Sequence, residues 1–191
     1  MKHYFSFAAF VDWWEEIEGQ GKDVVLRDGR LIVPGAVECC RLPVLLRQCA
    51  SVEELRREID DPKPYALILM QAGRASVAVG CADEILVSKQ IQKYMVRKSQ
   101  GRAQLNYLNE KGKSRLGSRI RLRQSEEFFA EINARLVGYA KTFELSQLFL
   151  SCPPKLKGFW YQSSSPNPFA KKDERWRAVP FMVRPPGERE M

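Results

Sequence analysis

The sequence predicts an α/β (α+β) fold: a mixed, largely antiparallel sheet with packed helices, extended at its N-terminus by a helix and a hairpin. Three observations predict it. Tyr65–Gln71, Ser76–Cys81 and Ile85–Lys89 are three β-rich runs joined by Ala72-Gly73-Arg74 and Ala82-Asp83-Glu84, and links that short favour an antiparallel meander. Amphipathic helical periodicity flanks these runs on both sides, near residues 6–18 and 125–141. At 191 residues, 45% hydrophobic and 28% charged, the chain is long enough for one sizeable core with a small addition.

Residues 6–18 place Phe7, Phe10, Val11, Trp14 and Ile17 at three- and four-residue spacing, so the stripe and its aromatics are expected in a core. Gly19 and Gly21 end that helix. Asp28-Gly29 between V-V-L-R and R-L-I-V predicts a tight hairpin, because both turn positions require positive φ. Residues 36–50 are ambiguous, with a short helix read around Leu42–Cys49. Ser51-Val52-Glu53-Glu54 is a capping box that starts a charged helix over about 52–60, stopped at Asp60-Asp61-Pro62. After the three β-rich runs, residues 98–118 contain Gly101, Gly112 and Gly117 with little apolar content and are read as a loop. Ser125 then opens a helix to about Lys141 with Phe128, Phe129, Ile132, Leu136 and Tyr139 as its buried stripe. Glu144–Ser151 is read as a buried strand, Lys155–Tyr161 as a short helix and Ala178–Val183 as a last edge strand. The expected division is an N-terminal extension over residues 1–60 packed on a core domain over residues 61–191.

The totals exclude several functions. Apolar runs such as Ala66–Met70 are too short to span a bilayer, no leader pattern follows the N-terminus, and a cytoplasmic protein without a membrane partner is expected. Five cysteines without paired spacing and a single histidine, His3, do not make a zinc site, so neither metal nor cofactor is expected. The cysteines read as buried free thiols. With one histidine, a Ser–His or Cys–His triad is nearly excluded.

Charge singles out one segment. Residues 89–123 hold eleven Lys and Arg and one acid, Glu110, a net +10 against +8 for the whole chain, which leaves the rest at −2. One basic segment on a near-neutral body points to a polyanion, most simply a nucleic-acid backbone. Inside it runs Y-M-V-R-K-S-Q-G-R-A-Q, from Tyr94 to Gln104. Gly101 permits close backbone approach. The amide of Gln104 does not titrate near neutrality, so it is no general base, but it can orient a water or a developing oxyanion. From composition alone a solvated loop and a nucleic-acid contact remain equally open.

The runs Y-A-L-I-L-M-Q-A-G-R-A-S-V-A-V-G, Y-M-V-R-K-S-Q-G-R-A-Q, L-F-L-S-C-P-P and K-K-D-E-R-W-R-A-V-P-F, in that order over Tyr65–Pro185, resemble the Vms-type release-factor-like (VLRF) domain family. That family is similar to the central Gly-Gly-Gln domain of eukaryotic and archaeal termination factors. The resemblance implies a release-factor central-domain-like fold, a ribosomal site of action on the large subunit, and hydrolysis of peptidyl-tRNA directed at its CCA end in translation quality control. It implies that Gly101 and Gln104 are the catalytic glycine and terminal glutamine. Arg97, Lys98, Arg102, Lys111, Lys113, Arg115, Arg119, Arg121 and Arg123 are the cations expected to contact RNA. Family members are also described as cutting tRNA near its CCA end, which leaves the bond attacked open. Arg102-Ala103 departs from the small residues usual in the middle of the motif. A non-catalytic ribosome- or tRNA-binding protein is the alternative of a different class. A metal-dependent nuclease ranks last, because the strands at 65–71 and 76–81 carry no carboxylate.

Overall fold

The computed structural model describes residues 6–35, 39–93 and 113–179, with the backbone alone for Cys39 and 113–122. The chain divides into two compact units, one of residues 1–64 with 80–85 and one of residues 65–79 with 86–191.

In the first unit, helix α1 (Phe7–Gly19) buries Phe7, Phe10, Trp14 and Ile17, the stripe its spacing predicts. Trp13 packs on Phe10 with ring centroids 5.8 Å apart and belongs to the same apolar cluster. Strands β1 (Val25–Arg27) and β2 (Arg30–Ile32) pair antiparallel about the Asp28-Gly29 turn. Both turn residues have positive φ, 52° and 66°, as the sequence requires. A third strand, β3 (Cys39–Arg41), pairs with β2 where no strand was expected, and the expected helix at 42–49 shrinks to a 3-10 turn over Val44–Leu46. Leu31, Cys40, Leu42, Leu46, Cys49 and Leu55 complete this core with the α1 stripe.

Helix α2 (Val52–Asp60) begins at the expected box: Glu54 N–H donates to Ser51 Oγ at 3.1 Å. The Glu54 carboxylate reaches back one residue further than the box prescribes, accepting from Ala50 N–H at 2.7 Å.

The second unit is built on a five-stranded mixed sheet in the order β6-β5-β4-β7-β8. Its strands are β4 (Tyr65–Gln71), β5 (Arg74–Cys81), β6 (Glu84–Gln92), β7 (Gln147–Ser151) and β8 (Trp176–Ala178). Two-residue turns link β4 to β5 and β5 to β6, with φ of 81° at Gly73 and 49° at Ala82. On the other side β4 pairs parallel with β7, and β7 with β8. Among the described residues the last strand, β8, meets the expected Ala178–Val183 strand only at Ala178 and runs parallel to its neighbour; residues 180–183 of that expectation lie outside the described residues.

Helix α3 spans Lys113–Thr142, thirty residues, and α4 spans Pro154–Tyr161. Residues at alternate positions of the central strands, Ala66, Ile68, Met70, Val77, Val79, Leu148 and Leu150, meet Phe128, Ile132, Leu136, Leu156 and Trp160 in one core. Inside it the Trp160 indole N–H donates to Asn133 Oδ1 at 2.7 Å, and Asn133 Nδ2 donates to the Ser165 carbonyl at 2.7 Å. A buried asparagine satisfied on both sides fixes α4 against α3.

The largest difference from the sequence reading is the start of α3. Residues 113–118, expected as the end of the loop, are helical, as are 119–124 before the expected start at Ser125; residues 98–112 of that loop lie outside the described residues. Gly112, Gly117 and the sparse apolar content predict a loop, yet Lys, Arg, Leu and Gln are good helix formers. One interior glycine costs only about 1 kcal/mol against a thirty-residue helix whose far half is packed.

Candidate nucleic-acid interface

The basic segment is framed by β6 and α3. Lys89 is exposed on β6. At the end of the strand, Lys93 N–H donates to the Gly73 carbonyl at 2.9 Å, and its ammonium pairs with Glu131 on α3 at 3.4 Å. Lys93, one of the eleven cations counted above, is therefore partly neutralised within the fold.

Arg97, Lys98, Gly101, Arg102, Gln104 and Lys111 lie outside the described residues. Lys113, Arg115, Arg119 and Arg121 fall on the first turns of α3. Arg123 is exposed and pairs with Glu127 one turn on at 2.9 Å. Arg115, Arg119 and Arg123 are four residues apart, the spacing that returns to one helix face. α3 has no acid in its first turn and none before Glu126. Cations at a helix N-terminus oppose the macrodipole by about 0.3–1 kcal/mol each, and like charges four apart repel. Negative charge supplied from outside would relieve both.

The rest of the described chain offers little alternative chemistry. Among the described residues no group of three His, Cys, Asp or Glu is placed to hold a metal, and no helix is long and apolar enough to cross a membrane. Of the four described cysteines, Cys40 and Cys49 are buried and Cys81 and Cys152 half-buried, all as free thiols. Burial, with Glu58 and Glu54 nearby, pushes the Cys49 thiol up to about 11, and burial pushes Cys152 up to about 12, so neither supplies a thiolate near neutrality.

Asp83 has a structural task that the sequence reading missed. Its two carboxylate oxygens accept from Phe7 N–H at 2.9 Å and Ala8 N–H at 2.7 Å, beside the Ser6 cap on Ala9 N–H at 3.1 Å. No local signal marks it, because the partners are 75 and 76 positions apart. In the first unit a polar cleft of about 540 Å³ is lined by Glu18, Lys22, Asp23, Glu53 and Arg56, with Glu18 and Arg56 paired at 2.6 Å.

Comparison with known proteins places this frame. The family model described as the Bacteroidetes VLRF1 release factor matches residues 65–191, about two thirds of the chain. The chain belongs to that family. The VLRF1 match begins at Tyr65, the first residue of β4, and takes in the strands, α3, α4 and the whole basic segment. Residues 1–64 lie outside it. No curated protein matches the chain. A solved structure similar to this chain is the archaeal translation termination factor aRF1, at 15% identity and a TM-score of 0.38 over 69% of this chain. The similarity takes in 32% of that factor, so this chain spans about a third of it.

Proposed function

We propose that the protein is a release-factor-like hydrolase that cleaves peptidyl-tRNA on the large ribosomal subunit, in translation quality control in the cytoplasm. The observation that carries this reading is the coincidence of the release-factor family match with the charge focus: residues 89–123, at net +10, fall wholly within 65–191. Gln104 would orient the attacking water and the developing oxyanion at the ester that joins peptide to tRNA. Gly101 would let the backbone approach the CCA end closely. Arg97, Lys98, Arg102, Lys111 and the α3 cations Lys113, Arg115, Arg119, Arg121 and Arg123 would neutralise RNA phosphates. Since glutamine does not titrate, the reaction needs no protein group with a pKa near 7.

A second reading keeps the site and changes the bond: the tRNA backbone near its CCA end is cut instead of the ester. The Arg102-Ala103 pair favours keeping it in view, because bulk and charge beside Gln104 hinder entry to a narrow reaction centre. A metal-dependent nuclease is not favoured, since the Asp83 carboxylate is spent on two backbone N–H groups.

The test uses large subunits carrying peptidyl-tRNA labelled in the peptide, with wild type and Gln104→Ala, mapping the tRNA 3′ end in the same reaction. Peptide release with an intact CCA end, lost in the variant while binding persists, is the expected result. A shortened tRNA would transfer the assignment to the nuclease, and binding without either product would leave a non-catalytic binder.

A further inference from the structure

Far along the chain from the basic segment, a second concentration of positive charge escapes a whole-chain count. Residues 154–178, which form α4, the following turns and β8, carry six cations and two acids. One of the acids is already spent. Asp173 receives Arg175 through two nitrogens, at 3.0 and 2.8 Å, and the guanidinium holds its carboxyl below the usual aspartate range. That leaves Lys155, Lys157, Lys171, Lys172 and Arg177 against Glu174.

The same stretch holds Phe159 on α4, 63% exposed and the most exposed large hydrophobic side chain among the described residues. α4 is amphipathic in a telling way. Leu156 and Trp160, four apart, are buried, while Lys155 and Phe159, also four apart, are exposed beside them. Trp160 stacks edge-on against Trp176 with centroids 6.1 Å apart. The Trp176 indole N–H donates to the Ala170 carbonyl at 2.9 Å, and Lys171 and Lys172 follow Ala170 as exposed residues. One indole therefore ties the lysine pair and the Phe159 helix into a single neighbourhood.

An exposed aromatic ring among lysines suits a chain with both flat π-faces and phosphates. We propose that the α4–β8 surface is a second RNA-binding surface, with Phe159 stacking on an unpaired base and Lys155, Lys171 and Lys172 holding the adjacent phosphates. Base stacking on exposed aromatics tolerates any sequence, so this surface adds affinity and orientation and not sequence choice. It rests on the ribosomal reading above only for RNA as the polyanion that the protein meets.

The full chain is titrated with fluorescein-labelled oligoadenylate and with purified large ribosomal subunits, across a salt series. Phe159→Ala is expected to weaken oligoadenylate binding about tenfold, and Phe159→Trp to retain it. The Lys155→Glu/Lys171→Glu/Lys172→Glu variant is expected to lose more and to flatten the log affinity against log salt slope by about 2. A control reversing Lys22, Arg27 and Arg41 to Glu changes the net charge equally on exposed residues of the first unit. It is expected to cost no more than about threefold. Wild-type affinity in both α4–β8 variants overturns the proposal, and so does an equal loss in the control. Loss of subunit binding with oligoadenylate binding intact overturns it in favour of an acidic protein partner. Peptide release is scored in parallel. Absent release with a Phe159-dependent affinity removes the hydrolase and keeps this surface; release with unchanged affinity does the reverse.

Discussion

Within α3, Phe128, Phe129, Ile132 and Leu136 are each under 5% exposed and pack into the core of the second unit. The residues before them, Lys113–Gln124, carry five cations and no acid. The far half is held by burial, and the backbone helix continues without interruption through Lys113–Gln124. The comparison teaches how scaffold and binding function divide along a single element. Apolar period marks the half that packs into the core, and a run of five cations with no acid before Glu126 marks the half that suits a polyanion. Folding alone gives no reason to place Lys113 and Arg115 against the helix dipole.

If that division holds, substitutions in the two halves must fail differently. The largest effect is expected from Phe128→Ala, which opens a cavity at a fully buried site and should cost about 3–5 kcal/mol in denaturant unfolding. Arg119→Ala should leave stability within about 0.5 kcal/mol while reducing subunit affinity. A comparable stability loss at Arg119 would break the comparison.

An intermediate effect belongs to the Asp83 cap. Asp83→Ala orphans Phe7 and Ala8 N–H and should cost about 1–2 kcal/mol, measured by urea titration, with no change in RNA binding.

Lys113→Glu sharpens the comparison through opposite signs. It should stabilise α3 by about 0.3–1 kcal/mol in thermal unfolding at low salt, and weaken RNA binding in the same buffer. Both quantities moving together would mean that the charge serves the fold.

The smallest effect concerns Asp173. Arg175 lowers its carboxyl below the ordinary aspartate value of about 3.9. A lowered folded pKa means a stability contribution that is present above that value and lost as the pH falls below it. Asp173→Asn should therefore reduce stability slightly at neutral pH and make the acid limb shallower below about pH 4.

Where a local rule governs, the sequence is readable. The α1 stripe, the Asp28-Gly29 turn, the Ser51 cap and the Tyr65–Gln71 strand all follow from contacts within a few residues. β3 is missed because three residues, Cys39–Arg41, are too few to show alternation and depend on β2 for pairing. The start of α3 is missed because Gly112 and Gly117 read as turn signals, and Leu116, Ile120 and Leu122 are too few among the cations to stand out as a stripe. Asp83 and the Asn133–Trp160 bond join distant positions, which no window reveals. Of the candidate site, Gln104 and Gly101 are legible only as a motif. The charge focus is legible by counting, while the α4–β8 surface emerges only once Trp176 brings its parts together.

The most direct test of this account is the salt dependence of large-subunit binding for wild type and an Arg115→Ala/Arg119→Ala/Arg123→Ala variant. Each phosphate neutralised contributes about 0.7–0.9 to the slope of log affinity against log salt. The account predicts a steep wild-type slope, a slope shallower by about 2–3 in the variant, and a variant melting temperature no lower than that of wild type. An unchanged slope, or a variant that no longer folds, would contradict the assignment of the first half of α3 to RNA.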